Sequence, residues 1–242
     1  MKTTFSLVAL ITALVLFLGC SDNSEQTEDK DGKSEHHERH GNKSDHDHGH
    51  SANEYMHQSS IEELIERFES PERDEYQQPE RVLRYLGDLQ GKTIMDVGAG
   101  SGYFSIRLAE NGANVIAADV SDEFQEVIQK RIDESKIENI ELRKLSYDSP
   151  KLSESEVDMV LIVNTYHHIE DRSNYFSKVK KGTKDDGELV VIDFFKMETP
   201  VGPPVDHKIA IDQVVSELKD AGFTSFDVNV DLLPYQYIVR AK

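Results

Sequence analysis

Asp96-Val97-Gly98-Ala99-Gly100-Ser101-Gly102-Tyr103 sets three glycines at alternate positions behind an acidic residue. Glycine adopts backbone conformations closed to other residues and lets N–H groups approach a ligand closely, so such a loop can cradle a polar molecule. Loops of this kind also bind dinucleotides, and only spacing separates the cases. The dinucleotide fingerprint needs glycine at its sixth place for helix packing. Counted from Gly98, that place is Tyr103. Twenty-one residues beyond Gly98 stands Asp119, suited to accept hydrogen bonds from ribose hydroxyls. A second group, Tyr166-His167-His168, suits proton transfer, because histidine changes charge near neutral pH. A third, His46, His48 and His50 interleaved with aspartates, offers imidazole ligands for zinc, copper or nickel. Cys20 is the single cysteine, which excludes a disulfide framework and a thiol nucleophile in the folded part.

These residues need elements to position them. Order should begin near Ser60, where Ser60-Ile61-Glu62-Glu63 has capping-box spacing and Ile61, Leu64, Ile65 and Phe68 share a helical face. Pro79 opens a second helix that carries Val82, Leu83, Tyr85 and Leu86 inward. The glycine loop falls between a buried strand, Thr93 to Val97, and a helix, Tyr103 to Asn111. Asp119 ends the next strand, Asn114 to Asp119. Ser121 or Asp122 caps a helix with Phe124, Val127, Ile128 and Ile132 on its core side. Strands recur at Ile140 to Leu145, Val157 to Val163 and Glu188 to Phe194, with a helix around Tyr175 to Val179. The two histidines follow the fourth strand. This alternation predicts an α/β fold with a parallel sheet and helices on both faces. The ending departs from it: a helix bearing Ile211, Val214, Val215 and Leu218, then Phe223 to Val230 and Tyr235 to Ala241, which pair as an antiparallel hairpin. Thr199 to His207, rich in proline, is a stiff loop suited to wall a ligand pocket.

The chain has 242 residues, 27 Lys+Arg against 46 Asp+Glu, and a net charge of -19. Such a surplus repels phosphate backbones, so nucleic acid is excluded as an expected partner. With 37% hydrophobic residues the chain can build a core, while a mean hydropathy of -0.56 points to a solvated segment that dilutes the average. Residues 21–58 are that segment. They hold almost no aliphatic side chain and seven of the ten histidines, a composition expected to remain a disordered tether. Before it, Lys2 and an apolar run from Phe5 to Leu18 are too short for a membrane helix, which needs about 20 apolar residues, and read as a signal sequence over 1–20. Its end, Leu18-Gly19-Cys20, resembles a bacterial lipoprotein signal, which implies lipidation of Cys20 and attachment to the cell envelope on the extracytoplasmic side.

The glycine loop with Asp119 and the closing helix and hairpin together resemble the class I S-adenosylmethionine-dependent methyltransferases. The resemblance runs from about Gln78 to Lys242. It implies a Rossmann-like, doubly wound sheet of seven strands with a reversed last strand, in a domain spanning 59–242. It further implies that Asp96, Gly98, Gly100 and Gly102 hold the methionine part of the cofactor, Asp119 the ribose, Val120 and Asp148 the adenine, and that Asn164 lies beside the reactive end. The acceptor would be a small molecule, with His167, His168 or Tyr166 available as a base. One departure is Gly182-Thr183-Lys184-Asp185-Asp186-Gly187, where many relatives carry Pro-Gly-Gly in a turn before the fifth strand. Two other readings stay open: an idle methyltransferase-like binding domain on a metal-binding tail, and a nicotinamide-dependent oxidoreductase, which Tyr103 and the hairpin disfavour.

Overall fold

The structure is a computed structural model that describes Asn53 and residues 59–242. Cys20, His46, His48 and His50 therefore lie outside the described residues. Three short helices lead in: α1 (Ile61–Phe68), α2 (Pro71–Gln77) and α3 (Pro79–Leu86). Ser60 closes the expected capping box with Glu63 at the start of α1. The sequence reading passes over α2, whose Pro-Glu-Arg-Asp-Glu-Tyr-Gln has no apolar stripe. Its ends define it instead, because Ser70 caps it and Pro71 occupies its first position. On α3, Val82, Leu83 and Leu86 are buried as expected, whereas Tyr85 stays half-exposed with its hydroxyl on Asp227.

The sheet then builds through β1 (Thr93–Val97), α4 (Tyr103–Glu110), β2 (Asn114–Asp119), α5 (Asp122–Ser135), β3 (Ile140–Lys144), β4 (Val157–Val163), α6 (Arg172–Gly182) and β5 (Thr183–Phe194). It closes with α7 (Ile211–Asp220), β6 (Phe226–Asn229) and β7 (Gln236–Ala241). Strand order is β3-β2-β1-β4-β5-β7-β6. The first five strands are parallel, and β7 runs antiparallel to both β5 and β6. This is the Rossmann-like, seven-stranded architecture that the sequence implies.

Central strands are apolar on both faces because helices cover both. On β4, Val160 and Ile162 face a layer with Phe176, Val179, Val214 and Leu218 from α6 and α7. Their neighbours Met159, Leu161 and Val163 face Val82, Leu86, Phe104 and Leu108 from α3 and α4. Among the described residues no helix is long and apolar enough to cross a membrane.

Two departures from the sequence reading have local causes. The stretch after Gly182 is not a turn: β5 begins at Thr183 and runs twelve residues. A register shift between Val157 and Met159 absorbs the irregularity, and a Cβ on Gly187 would stand 2.7 Å from the Asp158 carbonyl oxygen, so only glycine fits there. Second, Asn53 lies within the stretch read as tether, yet its side-chain amide bonds both the carbonyl and Nδ1 of His168.

What positions the site is the reversal of strand order at β1. From β1 the chain builds outward to β2 and β3, then returns to place β4 on the other flank, leaving a crevice beyond the carboxyl ends of β1 and β4.

Candidate functional site

Gly98, Gly100 and Gly102 all have positive φ, at 72°, 56° and 82°. The loop is pinned from below: Gly98 and Ala99 donate to the Ala118 carbonyl at 2.9 and 3.1 Å, and Gly100 donates to Asp119 Oδ2 at 2.8 Å. Gly98 has a second constraint, since a Cβ there would overlap the Thr165 side chain across the crevice. The other oxygen of Asp119 accepts from Ser121 N at 2.9 Å. Burial pushes the Asp119 carboxyl above its usual range, and these amide bonds work against that rise. A carboxylate offers about four lone pairs, so Asp119 keeps acceptor capacity for two hydroxyls. Asp96 sits under the loop, bonded to Ser105 Oγ at 2.7 Å, and burial raises it to about 6.

The two leading helices cover this loop. The Phe68 ring lies 3.4 Å from where a Cβ on Gly100 would stand, and stacks toward Phe124 at 5.8 Å. Glu69 accepts from Ser101 Oγ and pairs with Arg131, each at 2.5 Å, and Arg131 donates to the Ser101 carbonyl at 2.8 Å. Asp74 accepts from the Tyr103 hydroxyl. Surface clefts lie elsewhere, one beside Ser149, Pro150 and Lys178 and one at the amino ends of β1 to β3.

Across the crevice the chemistry is carried by side chains. His167 Nδ1 lies 2.9 and 3.0 Å from the two carboxylate oxygens of Asp193, a residue at the end of β5 with no exposure. Asp193 is anchored in turn by the N–H groups of Phe194 and His167. The carboxylate accepts, so in the neutral ring Nδ1 carries the proton and Nε2 presents a lone pair. Asn164, at φ 55°, joins two buried glutamines: its Nδ2 donates to Gln77 Oε1 at 3.2 Å, and its Oδ1 accepts from Gln236 Nε2 at 2.5 Å. The proline-rich loop closes on the same side, with Gly202 against the Phe194 ring and Lys208 bonded to Met197 O and Thr199 Oγ1.

Not every expected residue converges here. Tyr166 is a correction: it is fully buried, stacked on Phe176 at 4.9 Å, and donates its hydroxyl to Glu217 at 2.8 Å. Burial and Glu217 both push its pKa upward, so it is a core residue and not a base. His168 stacks beside His167 at 4.3 Å and is occupied by Asn53. Asp148 is exposed in the turn bridged by Ser146 and Ser149, where the Ser146 hydroxyl lowers its pKa. No hydrogen bond or ion pair joins it to the glycine loop among the described residues. Val120 is half-buried against the core. Conversely, Asp193, Gln77, Gln236 and Arg73 are absent from the sequence reading; an aspartate inside the apolar run Val190-Val191-Ile192-Asp193-Phe194-Phe195 was the one usable signal. Among the described residues no cluster of three or more His, Cys, Asp or Glu side chains is arranged to hold a metal ion.

With this geometry in place, comparison with known proteins gives a consistent picture. Residues 95–191 match a family described as "Methyltransferase domain". The crystal structure of a SAM-dependent methyltransferase from Aquifex aeolicus is 27% identical, covers 76% of this chain and 98% of its own, and superposes with a TM-score of 0.70. Phosphoethanolamine N-methyltransferase 2 of Haemonchus contortus, solved in complex with S-adenosyl-L-methionine, shares the fold at a TM-score of 0.61 and 17% identity, covering 71% of this chain and 44% of that one. The tRNA U34 carboxymethyltransferase of Haemophilus influenzae is 30% identical over 116 residues, 46% of this chain and 35% of that protein. This chain thus spans well under half the length of that curated relative. Taken with the fold, these likenesses support a class I S-adenosylmethionine-dependent methyltransferase domain in this chain.

Proposed function

We propose that this chain is an S-adenosylmethionine-dependent methyltransferase acting on a small-molecule acceptor, anchored in a bacterial cell envelope by a lipid on Cys20. The observation that carries the first part is the coupling of loop and carboxylate: Gly100 donates to Asp119 at 2.8 Å, which holds the glycine turn and the second strand end as one cradle. When bound, the cofactor supplies a methyl group already activated by its sulfonium, so the protein's work is alignment and exclusion of water. Asp119 takes the ribose hydroxyls with the lone pairs its amide partners leave. Asp96, under the loop, faces the amino acid end. Val120 and the β3–β4 connection that carries Asp148 are left for the adenine, and Asn164 borders the reactive end.

On the acceptor side, His167 accepts a proton at Nε2 from the nucleophile, and Asp193 holds the ring and stabilises the imidazolium that results. A base is needed only if the nucleophile carries a proton at neutral pH, so the favoured acceptor class is a hydroxyl compound or an ammonium. The net charge of -19 argues for a small or cationic acceptor over RNA. The anchor reading rests on residues 1–20 and is checked by metabolic labelling with a clickable fatty acid: label lost in Cys20→Ser supports it, and label retained contradicts it.

The enzymatic reading is tested with cofactor labelled in the transferable methyl and fractionated bacterial metabolites. Label should pass to a compound bearing a hydroxyl or amine, with S-adenosylhomocysteine released in equal amount. A protein that binds the cofactor but labels no fraction would be an idle binding domain instead.

A further inference from the structure

Two buried amide atoms on the β4–β5 side of the crevice lack partners. Gln77 closes α2 and Gln236 opens β7, and neither residue has any exposure. Asn164, just past β4, joins them. Its Nδ2 donates to Gln77 Oε1 at 3.2 Å, while Gln236 Nε2 donates to Asn164 Oδ1 at 2.5 Å and to Gln77 Oε1 at 3.3 Å. Gln77 Nε2, a donor, and Gln236 Oε1, an acceptor, are left enclosed and without a hydrogen-bond partner among the described residues. The three amides fit one another in only two ways. Turning one or two of them sets oxygen against oxygen or N–H against N–H, whereas turning all three exchanges the spare atoms, so that Gln77 offers the acceptor and Gln236 the donor. Either arrangement ends with one spare donor and one spare acceptor, and leaving either unpaired in a buried site is costly.

Their surroundings say what would complete them. Gln236 lies opposite Phe194 in the β5–β7 register, and the Tyr76 ring, next to Gln77 in the chain, stands 5.9 Å from the Phe194 ring. The pair thus sits in an aromatic setting at the carboxyl ends of β4 and β5, where Asn164 borders the reactive end in the reading above. A carboxylate there would meet the spare acceptor with like charge, and an ammonium would leave that acceptor's neighbour, the spare donor, unmatched. A carboxamide, or the N–H and C=O edge of a lactam, matches both. Gln78, which joins α2 to α3 at φ 45° and ψ 58°, is the hinge at which α2 lifts to admit such a group.

We propose that Gln77 and Gln236 select the methyl acceptor by receiving an uncharged carboxamide-type group on it. Asn164 is the positioning residue that holds the two glutamines in register. The acceptor then meets two requirements: a nucleophile within reach of His167, and a neutral amide edge for the glutamines.

This inference rests on the methyltransferase reading, and the test separates the two. The full chain, isotope-labelled at its glutamine side-chain nitrogens and saturated with S-adenosylhomocysteine, is titrated by NMR with γ-butyrolactam, cyclopentanone and pyrrolidinium, three five-membered rings that differ in hydrogen-bonding groups. Gln77→Met and Gln236→Met assign the two signals. The lactam should shift both signals saturably. Cyclopentanone, which only accepts, should bind about tenfold or more weakly, because it leaves one buried group unmatched, and pyrrolidinium should give no saturable shift. In Gln236→Met the lactam response should disappear, with S-adenosylhomocysteine affinity from calorimetry changed less than about twofold, as for a change outside the cofactor contacts. The wild-type series decides the matter even if a variant fails to fold. Signals that ignore the lactam overturn the proposal, since a bound water would then complete the amide set, and equal response to lactam and cyclopentanone overturns it as well. Either failure in a protein that binds S-adenosylhomocysteine leaves the cofactor reading standing; a wild-type protein that does not bind S-adenosylhomocysteine refutes that reading and this proposal with it.

Discussion

The two flanks of the crevice solve the same problem with different materials. On the β1–β2 flank the loop is shaped by backbone: three glycines at positive φ, N–H groups spent on Ala118 and Asp119, and a single carboxylate that ties the turn together. On the β4–β5 flank the shape comes from side chains drawn from residues 77, 164, 167, 193 and 236, joined by amide and imidazole hydrogen bonds. A backbone cradle fixes where a ligand lies, but it discriminates little among acceptors. A side-chain network can be rebuilt one residue at a time, so under the proposed function substrate choice would belong on that flank.

The largest effect that separates the flanks should come from Gly98→Val. It forces a side chain onto Thr165 at a φ of 72°, and the combined clash and strain should cost about 3 to 5 kcal/mol of stability, read from urea unfolding. A variant as stable as wild type would show that the crevice has slack. Next, Asp193→Asn should slow methyl transfer about 100-fold by presenting the wrong tautomer of His167, while cofactor affinity is retained. Loss of both in the same variant would mean that Asp193 supports the whole fold and not the acceptor flank alone.

Asp119→Ala should show the reverse pattern, weakening cofactor binding by about 1 to 3 kcal/mol in calorimetry. Asp96 gives a smaller, pH-dependent effect. Its folded pKa of about 6 lies above the ordinary 3.8 because burial disfavours the charge, opposed by Ser105 and Arg73 and reinforced by Asp119. Stability from the neutral form is complete below 3.8 and is lost as pH rises through about 6. Cofactor binding should run the other way, since a cationic ammonium prefers the ionised carboxyl: affinity should fall about fivefold from pH 6 to pH 5, and in Asp96→Asn the slope should disappear. Smallest of all, deleting residues 21–51 should change cofactor affinity by less than about twofold, within the range of surface changes. A large loss would bring the tether into the site.

The contrast between flanks also explains what the sequence made legible. The glycine loop was readable because left-handed φ at three places demands glycine at fixed spacing, and Asp119 followed at a fixed distance along a βαβ unit. The parallel sheet covered on both faces and the final hairpin followed from alternation and from the short Asp231-to-Pro234 connection, whereas the order of the strands did not. The Gln77–Asn164–Gln236 contacts were not readable, because residues 159 positions apart meet only after β7 inserts beside β5. Tyr166 misled for a related reason: position in a ligand-side loop does not say which way a ring points, and Phe176 with Glu217 draws this one into the core. Helix α2 was invisible to periodicity since capping, and not an apolar face, defines it. Gln77 was hidden with it.

The most direct measurement is a crystal structure of the protein grown with S-adenosylhomocysteine. The expected result is density for the adenosyl group in the crevice, with ribose hydroxyls on the Asp119 carboxylate and the amino acid end over Gly100 and Gly102. A crevice still filled by Phe68 and Glu69, with no ligand at Asp119, would contradict it.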